Sequence, residues 1–252
     1  MTRRRIKLVC ERCGKEFEAG ARRRVVHCRE CAEYLRRKGQ GPLQIQKKTS
    51  LNQPRSSYIQ PKEVCWTRAE RDLEYYLQRF KRFQVYDCVT PPNLDSITDE
   101  DRQLANKIAA RMSAETWKPI LGQSIAQVGH WDLLSMSDDE WESRKQVIRT
   151  ALSKLLRPGI GVARLTKALH RKRPRLIPIC DNVVLKALGV YGGKKADTII
   201  ACMDRFREIG RKHISRLQKL KELSKQLQAE MTELRILELL YWVQFGPFSP
   251  SS

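Results

Sequence analysis

Apolar residues recur at intervals of three and four along most of the chain after residue 62. Leu73, Tyr76 and Leu77, followed by Phe80 and Phe83, show this spacing, which is typical of one buried face of a helix. Alternation of the kind expected for strands is scarce outside the first 30 residues. The pattern therefore predicts a mainly α-helical body.

Two segments carry the residues that typically begin a helix. Thr98 is followed three positions later by Asp101, and Ser137 is followed at the same distance by Glu140. A hydroxyl residue with an acidic residue three positions later resembles a capping box, in which each side chain accepts a hydrogen bond from the other residue's backbone. We expect helices to begin at both places.

The segment from Asp197 to about Phe245 has the pattern of one or two long helices. Its apolar stripe consists of Leu217, Leu220, Leu223, Leu227, Met231, Leu234 and Leu237. The register is uneven and the charges are not confined to flanking positions, which favours packing within the chain over a coiled-coil dimer. A monomer is expected. The five tryptophans are assigned to core packing.

Composition divides the chain into four parts. Residues 1–40 are basic and contain four cysteines, and residues 41–62 are polar without sustained periodicity, as in a linker. Residues 63–246 form the predicted helical domain, and residues 247–252 are a short tail.

The positive charge is concentrated in two segments. The 252 residues carry a formal charge of +21. Residues 1–48 hold 15 basic and 5 acidic side chains, and residues 154–195 hold 11 basic and one acidic side chain. Two focused basic segments favour an anionic partner, and we expect this partner to be DNA.

No segment has the pattern of a signal peptide or of a membrane span. We therefore expect no membrane partner and a cytoplasmic, nucleoid-associated location. In such a reducing compartment, paired cysteines bind metal more often than they form disulfides.

The amino-terminal cysteines have the spacing of a zinc site. Cys10 and Cys13 form one pair separated by two residues, and Cys28 and Cys31 form another. Two such turns supply four thiolates to one tetrahedral Zn²⁺, as in a zinc ribbon or knuckle. Arg22, Arg23 and Arg24 lie between the pairs, where a hairpin tip could contact phosphate or remain a solvated loop.

A glycine turn lies within the second basic segment. In "LLRPGIGVARLTKAL", Pro158 ends one helix, Gly159, Ile160 and Gly161 form a turn, and a second helix follows. The glycines allow close approach of a phosphate to the amides that begin the second helix. A glycine pair of this kind also occurs in purely structural helix turns.

The turn joined to "PICDNVVLKAL" resembles the helix-hairpin-helix superfamily of base-excision DNA glycosylases. In the adenine-mismatch and thymine-mismatch branch, the catalytic aspartate lies 22 positions after the first hairpin glycine. Asp181 lies 22 positions after Gly159, and Pro178, Ile179 and Val184 also match. The segment "KRPRLIPICD" is similar to a signature of an uncharacterised bacterial family as well.

The resemblance implies a function and a set of residues. Asp181 would be the catalytic carboxylate of a DNA repair enzyme that hydrolyses the N-glycosidic bond of a damaged, mismatched or modified base, and a monovalent cation could bind at the hairpin. The expected DNA contacts are Gly159, Ile160, Gly161, Arg164, Lys167, Arg171, Lys172 and Arg173. Ala163 occupies the position of the Schiff-base lysine of bifunctional relatives, so a monofunctional enzyme is expected.

Other interpretations remain open at this level. Asp181 precedes a predicted helix and could be only its N-cap, and the basic residues before it could form an exposed loop. A non-catalytic DNA-binding protein with the same hairpin and zinc module is the main alternative. An RNA-binding accessory protein is a third possibility.

We predict one tightly bound zinc per chain through Cys10, Cys13, Cys28 and Cys31. A module of about 40 residues buries too little apolar surface to fold alone, so metal binding would supply its folding free energy. Metal analysis of the reduced protein checks the stoichiometry. A Cys28→Ser variant that keeps its full zinc content would contradict the site.

Overall fold

The structure is a computed structural model that describes residues 5–9, 16–20, 60–191 and 195–247. The chain divides into two compact units, residues 1–56 and 57–252, and each is described by itself. The four predicted zinc ligands and the three arginines between them lie outside the described residues. The zinc and arginine-tip predictions therefore stay predictions.

The first unit contains two antiparallel strands. Strand β1 (Arg5–Val9) pairs with β2 (Glu16–Gly20), with Arg5 opposite Gly20 and Val9 opposite Glu16.

The second unit is helical, as its apolar periodicity predicted. Short 3₁₀ turns precede the first helix and follow the fourth, at Trp66–Arg68 and Lys118–Ile120. The helices are α1 (Ala69–Arg79), α2 (Lys81–Cys88), α3 (Asp99–Lys107), α4 (Ala114–Trp117), α5 (Asp138–Leu155), α6 (Val162–His170), α7 (Asn182–Ala187), α8 (Lys195–Lys212), α9 (Ile214–Gln226) and α10 (Glu233–Phe245). Among the described residues, no helix is long and apolar enough to cross a membrane.

Both predicted helix starts are confirmed. Asp101 Oδ2 accepts the Thr98 N–H at 2.7 Å where α3 begins. At the start of α5, Ser137 N–H donates to Glu140 at 2.9 Å and Glu140 N–H donates to Ser137 Oγ at 3.2 Å. Local chemistry therefore sets the first turn of each helix.

The carboxyl-terminal segment forms three helices rather than the one or two that its pattern predicted. The chain breaks at His213, between α8 and α9, and again where Gln228 takes a positive φ of 59° and Thr232 caps α10. The breaks turn α9 and α10 back onto the body of the unit. Five of the seven stripe residues are buried, Leu223 is half-buried and Leu227 is exposed. Most of the apolar stripe therefore packs within the chain, as expected.

Helix α10 lies at the centre of the second unit and contacts α1, α7, α8 and α9. Most of its residues are buried, including Leu237 and Tyr241. An almost wholly apolar helix is stable in water only when other elements surround it. Two charged residues on this helix, Arg235 and Glu238, are buried with it.

Lys172 and Arg173 hold distant loops against the segment that joins α6 to α7. Arg173 is 1% exposed, donates to the Ile125 and Val128 carbonyls, and lies 2.7 Å from Asp95. Lys172 is fully buried, and its Nζ lies 3.0 Å from Asp101 Oδ2. The prediction that these two side chains contact DNA is wrong in this arrangement, because their charged groups are used inside the protein.

We expect Arg173→Met to destabilise the second unit by about 3 kcal/mol, because several buried carbonyls lose their donor. The matched change Arg175→Met, two residues along the chain, removes a side chain that is 57% exposed and paired with Asp132 at 3.3 Å. That control should change stability by less than about 0.5 kcal/mol. Denaturant unfolding of both variants measures the difference, and equal losses would contradict the anchoring role of Arg173.

Candidate functional site

The predicted hairpin forms between α5 and α6. Gly159 has a positive φ of 84°, and Ile160 N–H donates to the Arg157 carbonyl at 2.9 Å. Ile160 is fully buried, so its side chain anchors the turn in the core. Of the three predicted hairpin contacts, only the two glycines can offer backbone to a ligand.

The two glycines differ in how much space a substituted side chain would have. A Cβ on Gly159 would lie 2.8 Å from Thr116 Cγ2, whereas a Cβ on Gly161 would point into open space. Gly161 is the N-cap of α6 and provides no side-chain acceptor for the first amides of the helix. The beginning of α6 thus presents its amides and the positive end of its dipole beside an open surface.

Three cations on and after α6 donate to backbone carbonyls of the preceding loops. Arg164 Nε donates to Ala110 at 3.0 Å, and Lys167 Nζ donates to Ile108 at 2.8 Å. Arg171 Nε donates to the Val89 carbonyl at 2.9 Å. These side chains are half-buried, so they help to position the loops while remaining close to the surface.

The loop that follows α3 has an unusual backbone. Ala109 and Arg111 have positive φ values of 62° and 53°, a region that residues with a Cβ rarely adopt. Both residues are exposed. Arg164 and Lys167 on α6 donate to carbonyl oxygens of this loop. Helix α6 therefore fixes the backbone conformation of the loop.

A cleft of about 340 Å³ lies between this loop, the end of α6, the start of α7 and the buried helix α10. It has an apolar and aromatic wall with several charged groups. Its lining residues are Tyr76, Ile108, Ala109, Arg111, Lys167, Ile179, Asp181, Arg235, Glu238, Leu239 and Trp242. This volume is within the range of small-molecule sites.

Asp181 is the N-cap of α7 and also lines this cleft. Its Oδ1 accepts the N–H groups of Val183 and Val184, both at 3.0 Å. Within residues 60–191 and 195–247, no hydrogen bond is made to its other oxygen, Oδ2. The cap therefore fixes the carboxylate through one oxygen, and the second oxygen is not used by the cap.

Four side chains form a buried polar cluster beside Asp181. The Arg235 guanidinium donates to Asp87 Oδ1 at 2.8 Å, to Tyr76 Oη at 3.0 Å and to Glu238 Oε2. Tyr76 Oη in turn donates to Asp87 Oδ2 at 3.0 Å. One guanidinium thus links α1, α2 and α10.

The cluster holds two carboxyl groups and one cation. Burial raises the pKa of Glu238 to about 7, and the Asp181 carboxylate adds to the rise while Arg235 opposes it. Desolvation is the largest effect because Glu238 is 2% exposed. Near neutral pH, Glu238 is therefore divided between its protonated and ionised forms.

Lys167 provides a cation at the same cleft. Its partial burial lowers the pKa of its ammonium group, while the Asp181 carboxylate acts in the opposite direction. Arg111 and Arg235 line the cleft as well. The site therefore combines a positive rim with two carboxyl groups.

Sequence reasoning identified Asp181 and Lys167 but missed Glu238, Arg235 and Trp242. A signal for Arg235 and Glu238 was present in the sequence, because "LRILELLYWV" places these two charged residues three positions apart among apolar residues. A charged pair at that spacing in a buried helix is expected to be satisfied internally. Nothing in the sequence distinguishes Trp242 from a core tryptophan.

Residues 92–245 match the family described as "Family of unknown function (DUF6308)". The match covers more than half of the chain, so the chain belongs to this family. It includes the hairpin, Asp181 and Glu238 but not Tyr76 on α1. No curated protein and no solved structure matches the chain.

The hairpin glycines provide a test of phosphate binding. We expect Gly159→Ala to destabilise the fold by about 1–2 kcal/mol, because of its positive φ and the clash with Thr116. Gly161→Ala should leave stability nearly unchanged but weaken DNA binding, since its methyl group would obstruct phosphate at the start of α6. Thermal unfolding and DNA titration of both variants measure this. Unaltered DNA affinity in Gly161→Ala would contradict phosphate binding at the hairpin.

Proposed function

We propose that this protein is a DNA glycosylase-like enzyme that hydrolyses the N-glycosidic bond of a damaged, mismatched or modified base. The observation that carries the proposal is the position of Asp181. Its carboxylate is fixed by two backbone amides, keeps one oxygen outside the cap, and lines a cleft that the hairpin helix helps to form.

The hairpin and the cleft would act on neighbouring parts of one DNA strand. Amides at the start of α6 bind a phosphate, and the adjoining nucleotide is extruded from the stack at a cost of a few kcal/mol. Lys167 is on the same helix as the phosphate site and also lines the cleft. Its contact with the Ile108 carbonyl keeps the loop that forms the opposite wall in place.

Asp181 would stabilise the charge that develops on the sugar. As the bond between C1′ and the base breaks, positive charge spreads over C1′ and the ring oxygen. A carboxylate held rigidly beside that atom stabilises this charge without having to reorganise. It can also orient or deprotonate the water that adds to C1′.

The basic amino-terminal unit would supply a second contact with DNA. Its predicted zinc ligands and its three adjacent arginines belong to this proposal. On this account, the zinc is structural and takes no part in the chemistry.

A non-catalytic DNA-binding protein is the second candidate, and the capping bonds of Asp181 favour it. Aspartate at an N-cap stabilises a helix without any further role. In such a protein the hairpin and the basic side chains would bind DNA, and the cleft would not process a base.

One substitution separates the two candidates. Asp181→Asn keeps a capping oxygen and nearly the same shape, so folding and DNA affinity should survive. Base release should fall by about 10²-fold or more, because the neutral amide stabilises the sugar cation poorly. Duplexes that each contain one lesion or mismatch, treated with alkali to cleave abasic sites, measure the release.

The wild-type protein is assayed as the reference on a panel of such duplexes. Base release by Asp181→Asn at the wild-type rate would contradict the catalytic assignment. If the wild-type protein binds all of the duplexes but releases no base from any, the non-catalytic candidate is favoured instead.

A further inference from the structure

We infer that Glu238 is the acid that protonates the departing base in the cleft, and that the substrate is an uncharged nucleobase rather than a cationic alkylated one. This inference rests on the proposed function and assigns a second catalytic group and a substrate class to the same site. It begins from the arrangement of two carboxyl groups, Asp181 and Glu238, in one cleft.

Each of the two carboxyl groups is held through one of its oxygens, but by different partners and in different surroundings. Asp181 is held by backbone amides through Oδ1, and Glu238 is held by Arg235 through Oε2. In the part of the chain that the structure describes, no hydrogen bond is made to Glu238 Oε1. Each group therefore keeps one oxygen outside its own anchoring bonds.

The surroundings of Glu238 suit a proton donor. It is 2% exposed, whereas Asp181 is half-buried. The titratable and charged groups around Glu238 come from the elements packed on α10 and are Tyr76, Tyr86, Asp87, Lys167, Asp181 and Cys202. Asp87 already pairs with Arg235. When Glu238 is protonated and uncharged, the positive charge of Arg235 is still balanced by the negative charge of Asp87.

Two carboxyl groups in one cleft, one that donates a proton and one that stabilises the sugar cation, suit the cleavage of a glycosidic bond. Glu238 donates its proton to a ring nitrogen of the base, and the electron pair of the C1′–N bond moves to the base as that bond breaks. Asp181 stabilises the resulting sugar cation. Water then forms a bond to C1′ and releases one proton, which balances the proton that Glu238 delivered.

The charge of the cleft selects the substrate class. With Glu238 protonated, Asp87 balances Arg235, and Arg111 and Lys167 line the cleft against the single carboxylate of Asp181. A base that already carries a positive charge would be repelled by these cations and would need no proton to leave. An uncharged base avoids the repulsion and requires the acid.

The decisive experiment is single-turnover base release between pH 5.5 and 8.5. The substrates are one duplex with a mismatched, uncharged purine and one with a cationic N-methylated purine. We expect release of the uncharged base, with a rate that falls about tenfold per pH unit above pH 7 as Glu238 loses its proton. Glu238→Gln should lower this rate about 10²-fold and remove the decline with pH.

A control on the same helix accounts for the general effect of removing a carboxylate. Glu233 lies on α10 outside the cleft and pairs with Lys221 at 3.0 Å. Glu233→Gln should keep both the rate and the pH profile of the wild-type protein.

The outcomes separate the inference from the function on which it rests. If the wild-type protein releases no base from either duplex or from any of the panel, the proposed function is overturned and the role of Glu238 with it. If base is released but Glu238→Gln keeps the wild-type profile, or the cationic base is preferred, only the present inference is overturned.

Stability provides a second readout that does not depend on activity. Because folding raises the pKa of Glu238 from its usual 4.5 to about 7, the folded protein binds more protons than the unfolded chain between these values. This contribution to stability is present below pH 4.5 and is lost as pH rises toward 7. The Tm of the wild-type protein should therefore fall across this range relative to that of Glu238→Gln. If the difference in Tm between the wild-type protein and Glu238→Gln does not change with pH, Glu238 does not hold the proton that an acid catalyst requires.

Discussion

The buried guanidinium of Arg235 is the interaction on which the cleft depends. A cation taken out of water is costly unless its charge and its donors are satisfied. Asp87, Tyr76 and Glu238 satisfy them from three helices. The apolar helix α10 can therefore pass through the centre of the unit only when α1 and α2 are placed around it.

The same constraint gives the cleft its chemistry. One cation faces two carboxyl groups, and Asp87 makes the two-pronged contact with it. Among the described residues, Glu238 accepts one hydrogen bond, from Arg235, and its burial disfavours its charged form. A structural requirement thus leaves a carboxyl group with a raised pKa beside Asp181, whose own position is set by the cap of α7.

The basic segment before Asp181 serves two purposes, and its burial pattern separates them. Lys172 and Arg173 are enclosed. Lys172 donates to the Asn93 carbonyl in the loop before α3, and Arg173 donates to the Val128 carbonyl in the loop before α5. Arg164 and Lys167 are half-buried and fix the loop after α3 beside the cleft through its carbonyl oxygens. Arg171 is also half-buried and binds the Val89 carbonyl. The charge excess is therefore an imperfect measure of the surface available to DNA.

Features set by neighbouring residues were predicted well from the sequence. The capping boxes at Thr98 and Ser137, the helical body and the glycine turn depend on a few adjacent residues, and the structure has them at the predicted places. The burial of Arg173 was not predictable in this way, because its partner Asp95 lies 78 positions earlier in the chain. The apolar stripe that runs into helix α10 was expected to pack within the chain, but the contribution of Glu238 and Trp242 to a cleft depends on tertiary packing.

The catalytic role of Asp181 can be tested with a crystal structure of the protein bound to a duplex that carries a stable, cationic mimic of the sugar at one position. We expect an extruded mimic in the cleft, with its charged ring within hydrogen-bond distance of the Asp181 carboxylate. A neighbouring phosphate should lie on the amides that begin α6. A mimic that stays stacked in the duplex, or DNA bound away from the hairpin and Asp181, would rule out this catalytic role.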